Sequence, residues 1–390
     1  MITVLGYDGT PLSVQALEAI GEAQLVVGGA RHLAQVPPGT KTLVWSDLSE
    51  GVEALLALRG DGVVVASGDP GFFGPVRRLR EATEDLQVLP AVSSVQTAFA
   101  RAGLPWDDAL VVSAHGRDPR RALNVCRAHP KVAVLTGPAS GPAVLGAALV
   151  DQQRELFVCE QLGEAEERCR WLTPDQAASG TFAALNVVLV VDRTRAVAPT
   201  MGSVAGWLGP ASWALPDDAF DHRDGMITKA EVRALVLARL GPRVGDLVWD
   251  IGAGSGSVGI ECARLGAAVV AVEKGSVAHL RANISTFGVE VQVVEGTAPA
   301  VLTGLPDPDA VFVGGGATDV GDIVRHAVAR GPRTVVVALA ALDRLAEVQQ
   351  ALGAYAVEGV QLQASRFRAL GDATGLAATN PVLVVWGTRP

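Results

Sequence analysis

Two carboxylates bracket a glycine-rich stretch, and their spacing suggests a cofactor site. Asp250 closes an apolar run, glycines follow at 252, 254 and 256, and a second apolar run ends in Glu273. A helical pattern fills the space between, so the order is strand, tight turn, helix, parallel strand. Glycine lets the backbone turn sharply and approach a ligand closely. Glu273 can accept hydrogen bonds from ribose hydroxyls. Asp250 sits two residues ahead of the first glycine, where it would repel a pyrophosphate and attract a cationic aminoacyl group.

Two ligands fit this pattern. Gly254, Gly256 and Gly259 match the dinucleotide spacing, with an acid further on. S-adenosylmethionine carries an ammonium group, a sulfonium and a ribose, and the carboxylate at 250 favours it. The expected cofactor contacts are Thr228, Asp250, Gly252, Ala253, Gly254, Gly256, Glu273, Lys274, Gly296, Thr297 and Ala298.

A second set of turns lies in the first half of the chain. Gly68-Asp69-Pro70, Ser93-Ser94, His115-Gly116-Arg117 and Thr136-Gly137 each follow an apolar run. Ligands of open α/β sheets bind beyond the carboxyl ends of strands. Four such turns in register favour a ligand site between two subdomains, with Gly68, Asp69, Ser93, Ser94 and Thr136 at it and His115 and Arg117 toward substrate.

The elements that must position these residues follow from the hydrophobic pattern. Apolar runs at 2–6, 24–28, 42–45, 62–67, 88–91, 109–113 and 131–135 alternate with helical segments, which predicts a parallel α/β layer. From about 154 onward, runs at 155–159, 168–171 and 184–191 predict a second, mostly antiparallel subdomain. Residues 196–212, rich in Pro, Gly and Ala, read as a linker between domains at 1–195 and 213–390. Thr228 followed by Glu231 predicts a capping box, with Lys229 at the front of the same helix. Later runs, ending in a pair at 359–364 and 380–386, predict a seven-stranded, mostly parallel sheet.

Composition narrows the function classes. The 390 residues are 49% apolar with a net charge of −9, which permits a large core and argues against a nucleic-acid partner. The four cysteines form no CxxC pair, and the six histidines show no metal-ligand spacing, so reduced thiols and no metal are expected. The N-terminus runs straight into a strand and no apolar run reaches the ~18 residues a bilayer span needs, so a cytoplasmic location is expected.

Residues 67–74 (SGDPGFFG), 90–100, 103–108 and 113–117 resemble the tetrapyrrole methylase family, specifically its branch acting late in the corrin ring pathway. That family's first loop usually reads Gly-x-Gly-Pro-Gly-Asp, whereas this chain has Gly6-Tyr-Asp-Gly9. Residues 226–233, 249–261 and 312–316 resemble the cobalamin-pathway decarboxylating methyltransferase family. Together the resemblances imply two different folds, a two-subdomain methylase followed by a Rossmann-like class I methyltransferase, each with its own S-adenosylmethionine site, the first domain's at Gly68, Asp69, Ser93, Ser94 and Thr136. They imply methylation of the tetrapyrrole precorrin-6Y at carbon 5 by the first domain. The second would methylate carbon 15 and decarboxylate the ring C acetate. They also imply self-association.

Methyl transfer to carbon is an in-line displacement whose main demand is alignment, with carbon and methyl held ~3–3.5 Å apart. A strong nucleophilic side chain is not expected. A polycarboxylate substrate calls for cations, and Arg77, Arg78, Arg117, Arg120, Arg121, Lys229, Arg366 and Arg368 are the candidates. The competing functions are methylation of another substrate such as ribosomal RNA, a nicotinamide-dependent oxidoreductase, and a non-catalytic binding protein.

Overall fold

The computed structural model describes residues 1–45, 48–197, 205–314 and 319–390. Linker residues 198–204, and Gly315 and Gly316 of the glycine run, lie outside the described residues. The chain divides into two compact units. Unit 1 is Met1–Pro119 with Pro130–Gly206; unit 2 is Arg120–His129 with Trp207–Pro390.

Unit 1 contains two five-stranded sheets. The first comprises β1 (Ile2–Tyr7), β2 (Leu25–Gly28), β3 (Thr42–Val44), β4 (Gly62–Ser67) and β5 (Leu86–Leu89), in the order β3-β2-β4-β1-β5. Every pairing in it is parallel. Val4, Val26, Val27 and Val64 at its centre are fully buried, as expected of a parallel sheet covered on both faces. The second sheet comprises β6 (Leu110–Ser113), β7 (Lys131–Leu135), β8 (Glu155–Glu160), β9 (Arg168–Leu172) and β10 (Asn186–Val191), in the order β6-β7-β10-β8-β9.

This corrects one expectation. The runs at 109–113 and 131–135 do not extend the first sheet; they pair in parallel with each other and continue antiparallel into β10. Periodicity reports a strand and its burial but not its partner. The antiparallel part around β8, β9 and β10 is as expected.

Unit 2 has a seven-stranded sheet. Its strands are β11 (Leu247–Ile251), β12 (Ala268–Glu273), β13 (Gln292–Glu295), β14 (Ala310–Val313), β15 (Thr334–Leu339), β16 (Ala356–Leu362) and β19 (Val382–Thr388), ordered β13-β12-β11-β14-β15-β19-β16. Only the β19 pairings, with β15 and β16, are antiparallel. All five β11 residues are buried. Trp249 is fully buried in the core and donates its Nε1–H to the Pro306 carbonyl.

Between β16 and β19 the sequence analysis did not anticipate a separate hairpin, β17 (Ser365–Leu370) with β18 (Ala373–Ala378). Its residues are mostly exposed, so the buried-strand signal is missing.

The predicted capping box at Thr228 does not form. The helix starts at Ala230, and its N-cap Lys229 makes no side-chain cap. Asp217 accepts the Ala230 amide instead, while Glu231 is held by Arg366 in two hydrogen bonds. Tertiary charge pairing has taken both roles that the local motif would fill. A capping box does form at Thr173 and Gln176.

Candidate functional site

In unit 2 the site lies at the carboxyl ends of adjacent strands. A cavity of about 350 Å³ is lined by Ile251 and Gly252 after β11, Glu273 and Lys274 after β12, Gly296, Thr297 and Ala298 after β13, and Gly314 after β14. Strand order makes neighbours of turns that are distant in sequence. Gly252 has φ +74°, and a Cβ there would lie 2.2 Å from the Gly314 carbonyl oxygen, so no other residue fits.

Glu273 ties these turns together. Oε2 accepts the Gly254 amide at 2.9 Å and Oε1 accepts the Gly275 amide at 2.7 Å. The acid therefore shapes the rim of the cavity as well as lining it. Asp319 and Ile323 also line the cavity and were not anticipated. Asp319 follows the undescribed glycine run, where the rule of strand carboxyl ends points.

Asp250 is placed differently from expectation. It is 1% exposed and does not line the cavity. Its Oδ2 accepts the Gly259 amide at 2.8 Å, and its Oδ1 has no hydrogen-bond partner. Burial pushes its carboxyl up to about 7; the Gly259 amide opposes that rise and the charge of Glu273 adds to it. Ala253, Gly254 and Gly256 belong to the turn but not to the cavity wall.

The segment ahead of the first helix of unit 2 is fastened by charge. Arg233, fully buried, lies 3.6 Å from Glu261, donates to the Thr228 carbonyl at 2.6 Å and faces the Phe220 ring. Lys229 donates to the Gly225 carbonyl and lies 3.7 Å from Asp217. Asn283 accepts the Asp221 amide and donates to the carbonyls of Asp221 and Ser255, linking this segment to the glycine turn.

Besides Lys229, three candidate cations for substrate are already engaged. Arg366 pairs with Asp217 and Glu231, and Arg120 pairs with Asp309. Arg78 pairs with Glu81 on the surface of its own helix. Arg366 and Arg120 found carboxylates far away in sequence, which periodicity could not locate, whereas Arg78 and Glu81 stand at helical spacing.

In unit 1 a cavity of about 410 Å³ brings together Ser94, His115, Arg117 and Thr136, four of the residues expected there. They come from three of the four turns. Thr136 is fixed by donating to the Asn186 backbone and side-chain oxygens, and His115 Nδ1 lies 3.2 Å from the Thr136 carbonyl. Gly68, Asp69 and Ser93 do not line this cavity. Asp69 caps its own turn at the Gly71 amide, and Ser93 caps the following helix at the Gln96 amide.

Arg31, Ser67, Phe73 and Asn186 also line this cavity. Arg31 donates to Ser67 Oγ at 2.6 Å and lies 3.4 Å from Glu164. Ser67 Oγ is 3.0 Å from His32 Nε2. Burial, helped by the Arg31 charge, pushes the His32 imidazole down to about 4, so the ring is neutral near pH 7. Arg31 follows the carboxyl end of β2, a position the strand-end rule covers. Among the described residues Arg117 makes no ion pair. The first loop has its own role: Asp8 accepts the Val92 and Thr10 amides.

Among the described residues no His, Cys, Asp and Glu cluster could hold a metal. No helix among them is long and apolar enough to cross a membrane.

Comparison with known proteins adds the family context. The model for tetrapyrrole (corrin/porphyrin) methylases matches residues 8–176, and that for a precorrin methyltransferase domain matches residues 218–389. A Sinorhizobium sp protein named precorrin-6Y C(5,15)-methyltransferase (decarboxylating) is 37% identical over 97% of this chain and 93% of its own. A Mycobacterium tuberculosis protein of the same name is 34% identical over 82% of each chain. A Salmonella typhimurium cobalt-precorrin-7 C(5)-methyltransferase is 34% identical over 49% of this chain and 99% of its own.

Proposed function

The chain belongs to the precorrin-6Y C(5,15)-methyltransferase (decarboxylating) family, and from that premise we propose how its two cavities divide the family's reaction. The reaction is methylation of precorrin-6Y at carbons 5 and 15 with decarboxylation of the ring C acetate, in cobalamin biosynthesis. The cavity under the unit 2 glycine turn serves carbon-15 methylation and decarboxylation. The unit 1 cavity lined by Ser94, His115, Arg117 and Thr136 serves carbon 5. RNA methylation and nicotinamide chemistry are not favoured by the matches.

One observation carries the unit 2 assignment. Gly252, Glu273, Lys274, Thr297 and Gly314, spread over more than 60 residues of sequence, converge on one cavity at the carboxyl ends of four neighbouring strands. The residues fit S-adenosylmethionine. Asp250 acts behind them, holding the helix after the glycine turn through the Gly259 amide rather than lining the cavity. Glu273 fits a ribose, and Gly252 allows a close backbone approach.

When bound, the donor supplies its sulfonium methyl group to an electron-rich ring carbon. The protein's own task is positioning. Glu273 fixes the turn amides at Gly254 and Gly275. In unit 1, Arg117 and Arg31 on the cavity wall are the cations placed to meet substrate carboxylates, since a guanidinium binds one in bidentate fashion. No side chain in either cavity is required as a nucleophile. Loss of carbon dioxide is favoured where a carboxylate leaves water and the ring accepts the electrons.

Mass spectrometry of the product from precorrin-6Y tests this. A gain of two methyl groups and loss of one carbon dioxide is expected. Asp250→Ala should leave a product methylated once and not decarboxylated. Equilibrium dialysis that found NAD(H) binding and no S-adenosylmethionine binding would sink it.

A further inference from the structure

Phe73 has a backbone that an aromatic residue rarely adopts. Its φ is +56°, one of four positive-φ residues other than glycine among the described residues. For a bulky side chain this is a true outlier, and such strain persists only where the surroundings enforce it. The enforcement is visible in the loop. Tyr7 O accepts the Gly68 amide at 2.7 Å, Asp69 Oδ1 accepts the Gly71 amide at 2.8 Å, and Asp69 O accepts the Phe72 amide at 3.1 Å. At Gly74 a Cβ would lie 2.3 Å from the Pro70 carbonyl oxygen.

The two adjacent rings have separate fates. Phe72 packs against the hydrophobic cluster of the second sheet, with Phe99, Phe157 and Leu189. Phe73 is 50% exposed and meets Phe72 edge-on, with ring centroids 5.0 Å apart. The strain is therefore not repaid by burial of the Phe73 ring. Phe73 stands on the wall of the same cavity as Arg31 and Arg117. An exposed ring beside two guanidinium groups matches a flat macrocycle that carries carboxylate arms.

We propose that Phe73 is a specificity-determining residue of the carbon-5 reaction, stacking on the face of the tetrapyrrole while Arg31 and Arg117 hold its carboxylates. This rests on the assignment of the unit 1 cavity to carbon 5. Ser67 and Glu164 orient Arg31 for the task.

Phe73→Gly is the discriminating variant, because glycine adopts positive φ without strain and removes the ring. In the full-length protein it is expected to keep or raise Tm. Carbon-5 methylation should show a KM for precorrin-6Y raised roughly ten- to a hundredfold, the worth of one buried aromatic ring. The KM for S-adenosylmethionine, carbon-15 methylation and decarboxylation should not change. The readout is the ratio of doubly to singly methylated, decarboxylated products by mass spectrometry across substrate concentrations. Phe73→Leu should lie between Phe73→Gly and wild type. A lowered Tm with unchanged KM would mean the ring is structural, overturning the proposal. Unchanged carbon-5 methylation in Phe73→Gly alongside its loss in Arg117→Met overturns the role of Phe73 alone. If neither variant affects it, the assignment of the cavity falls as well.

Discussion

The Asp250 carboxylate accepts the Gly259 amide at 2.8 Å, and its other oxygen is buried without a partner. The acid that the sequence offers as a ligand for a cation thus also anchors the helix after the glycine turn. Gly259 permits this: a Cβ there would lie 2.7 Å from Asp250 Oδ2. Because the buried carboxylate is penalised in the fold while its one amide contact can be kept by an amide side chain, its replacement should raise stability and weaken binding.

Asp250→Asn tests that opposition. Burial raises the carboxyl to about 7 in the folded chain, from an ordinary value of 3.8. Below 3.8 the group is neutral in both states and costs nothing. As pH rises from there to 7, only the unfolded chain ionises, so stability falls. Above 7 the full penalty holds. Asparagine escapes it and can still accept the Gly259 amide. The ligand-free variant should match wild type near pH 4 and exceed it above pH 7 by a few kcal/mol, at about 1.4 kcal/mol per pH unit. Donor binding should weaken. Thermal melts from pH 4 to 8 would show this, and a uniformly less stable variant would refute it.

Glu273→Ala removes the acceptor shared by the Gly254 and Gly275 amides. Hydrogen bonds to a charged group are worth about 1.5–3 kcal/mol. The KM for S-adenosylmethionine in carbon-15 methylation should rise about tenfold or more, while carbon-5 methylation stays at the wild-type level. Steady-state kinetics with products separated by mass would check it. Equal loss at both carbons would show that the two sites are not independent.

Asn283→Ala should cost more stability than its position on a helix suggests. Asn283 is 2% exposed and satisfies Asp221 and Ser255 together. Leaving such groups unpaired costs about 1–3 kcal/mol each. Unfolding of unit 2 in urea should move to lower concentration, and saturating S-adenosylmethionine should recover part of the loss. A midpoint within error of wild type would show that the link carries no load.

Arg366→Ala should behave as a structural change alone. Its guanidinium is held by Asp217 and Glu231 on a side chain that is 40% exposed. A cost of about 1 kcal/mol or less is expected, with the KM for precorrin-6Y unchanged. A KM raised tenfold would return Arg366 to the substrate site.

Much of this protein could be read from sequence because parallel α/β layers write themselves plainly. Buried strands are apolar runs, and glycine turns mark their carboxyl ends. Gly252 and Glu273 stand on the unit 2 cavity, and Ser94 and Thr136 on the unit 1 cavity, because they follow such strand ends. Arg31, Asp319 and Phe73 were harder, because each depends on which strand ends become neighbours. The hairpin of β17 and β18 was missed because it buries little, and hydrophobic periodicity is a signal of burial.

Sequence alone determined the buried strands and the glycine turn, since these follow from local propensity and pattern. Tertiary structure decided pairing. It moved β6 and β7 into the second sheet, gave the cap of the Ala230 helix to Asp217, and matched Arg366 and Arg120 with carboxylates. It also turned Asp250 away from the cavity wall toward Gly259. The physical reason is common to all four. A strand edge, a helix end or a buried charge takes the partner that lies nearest in space, and sequence distance carries no information about that.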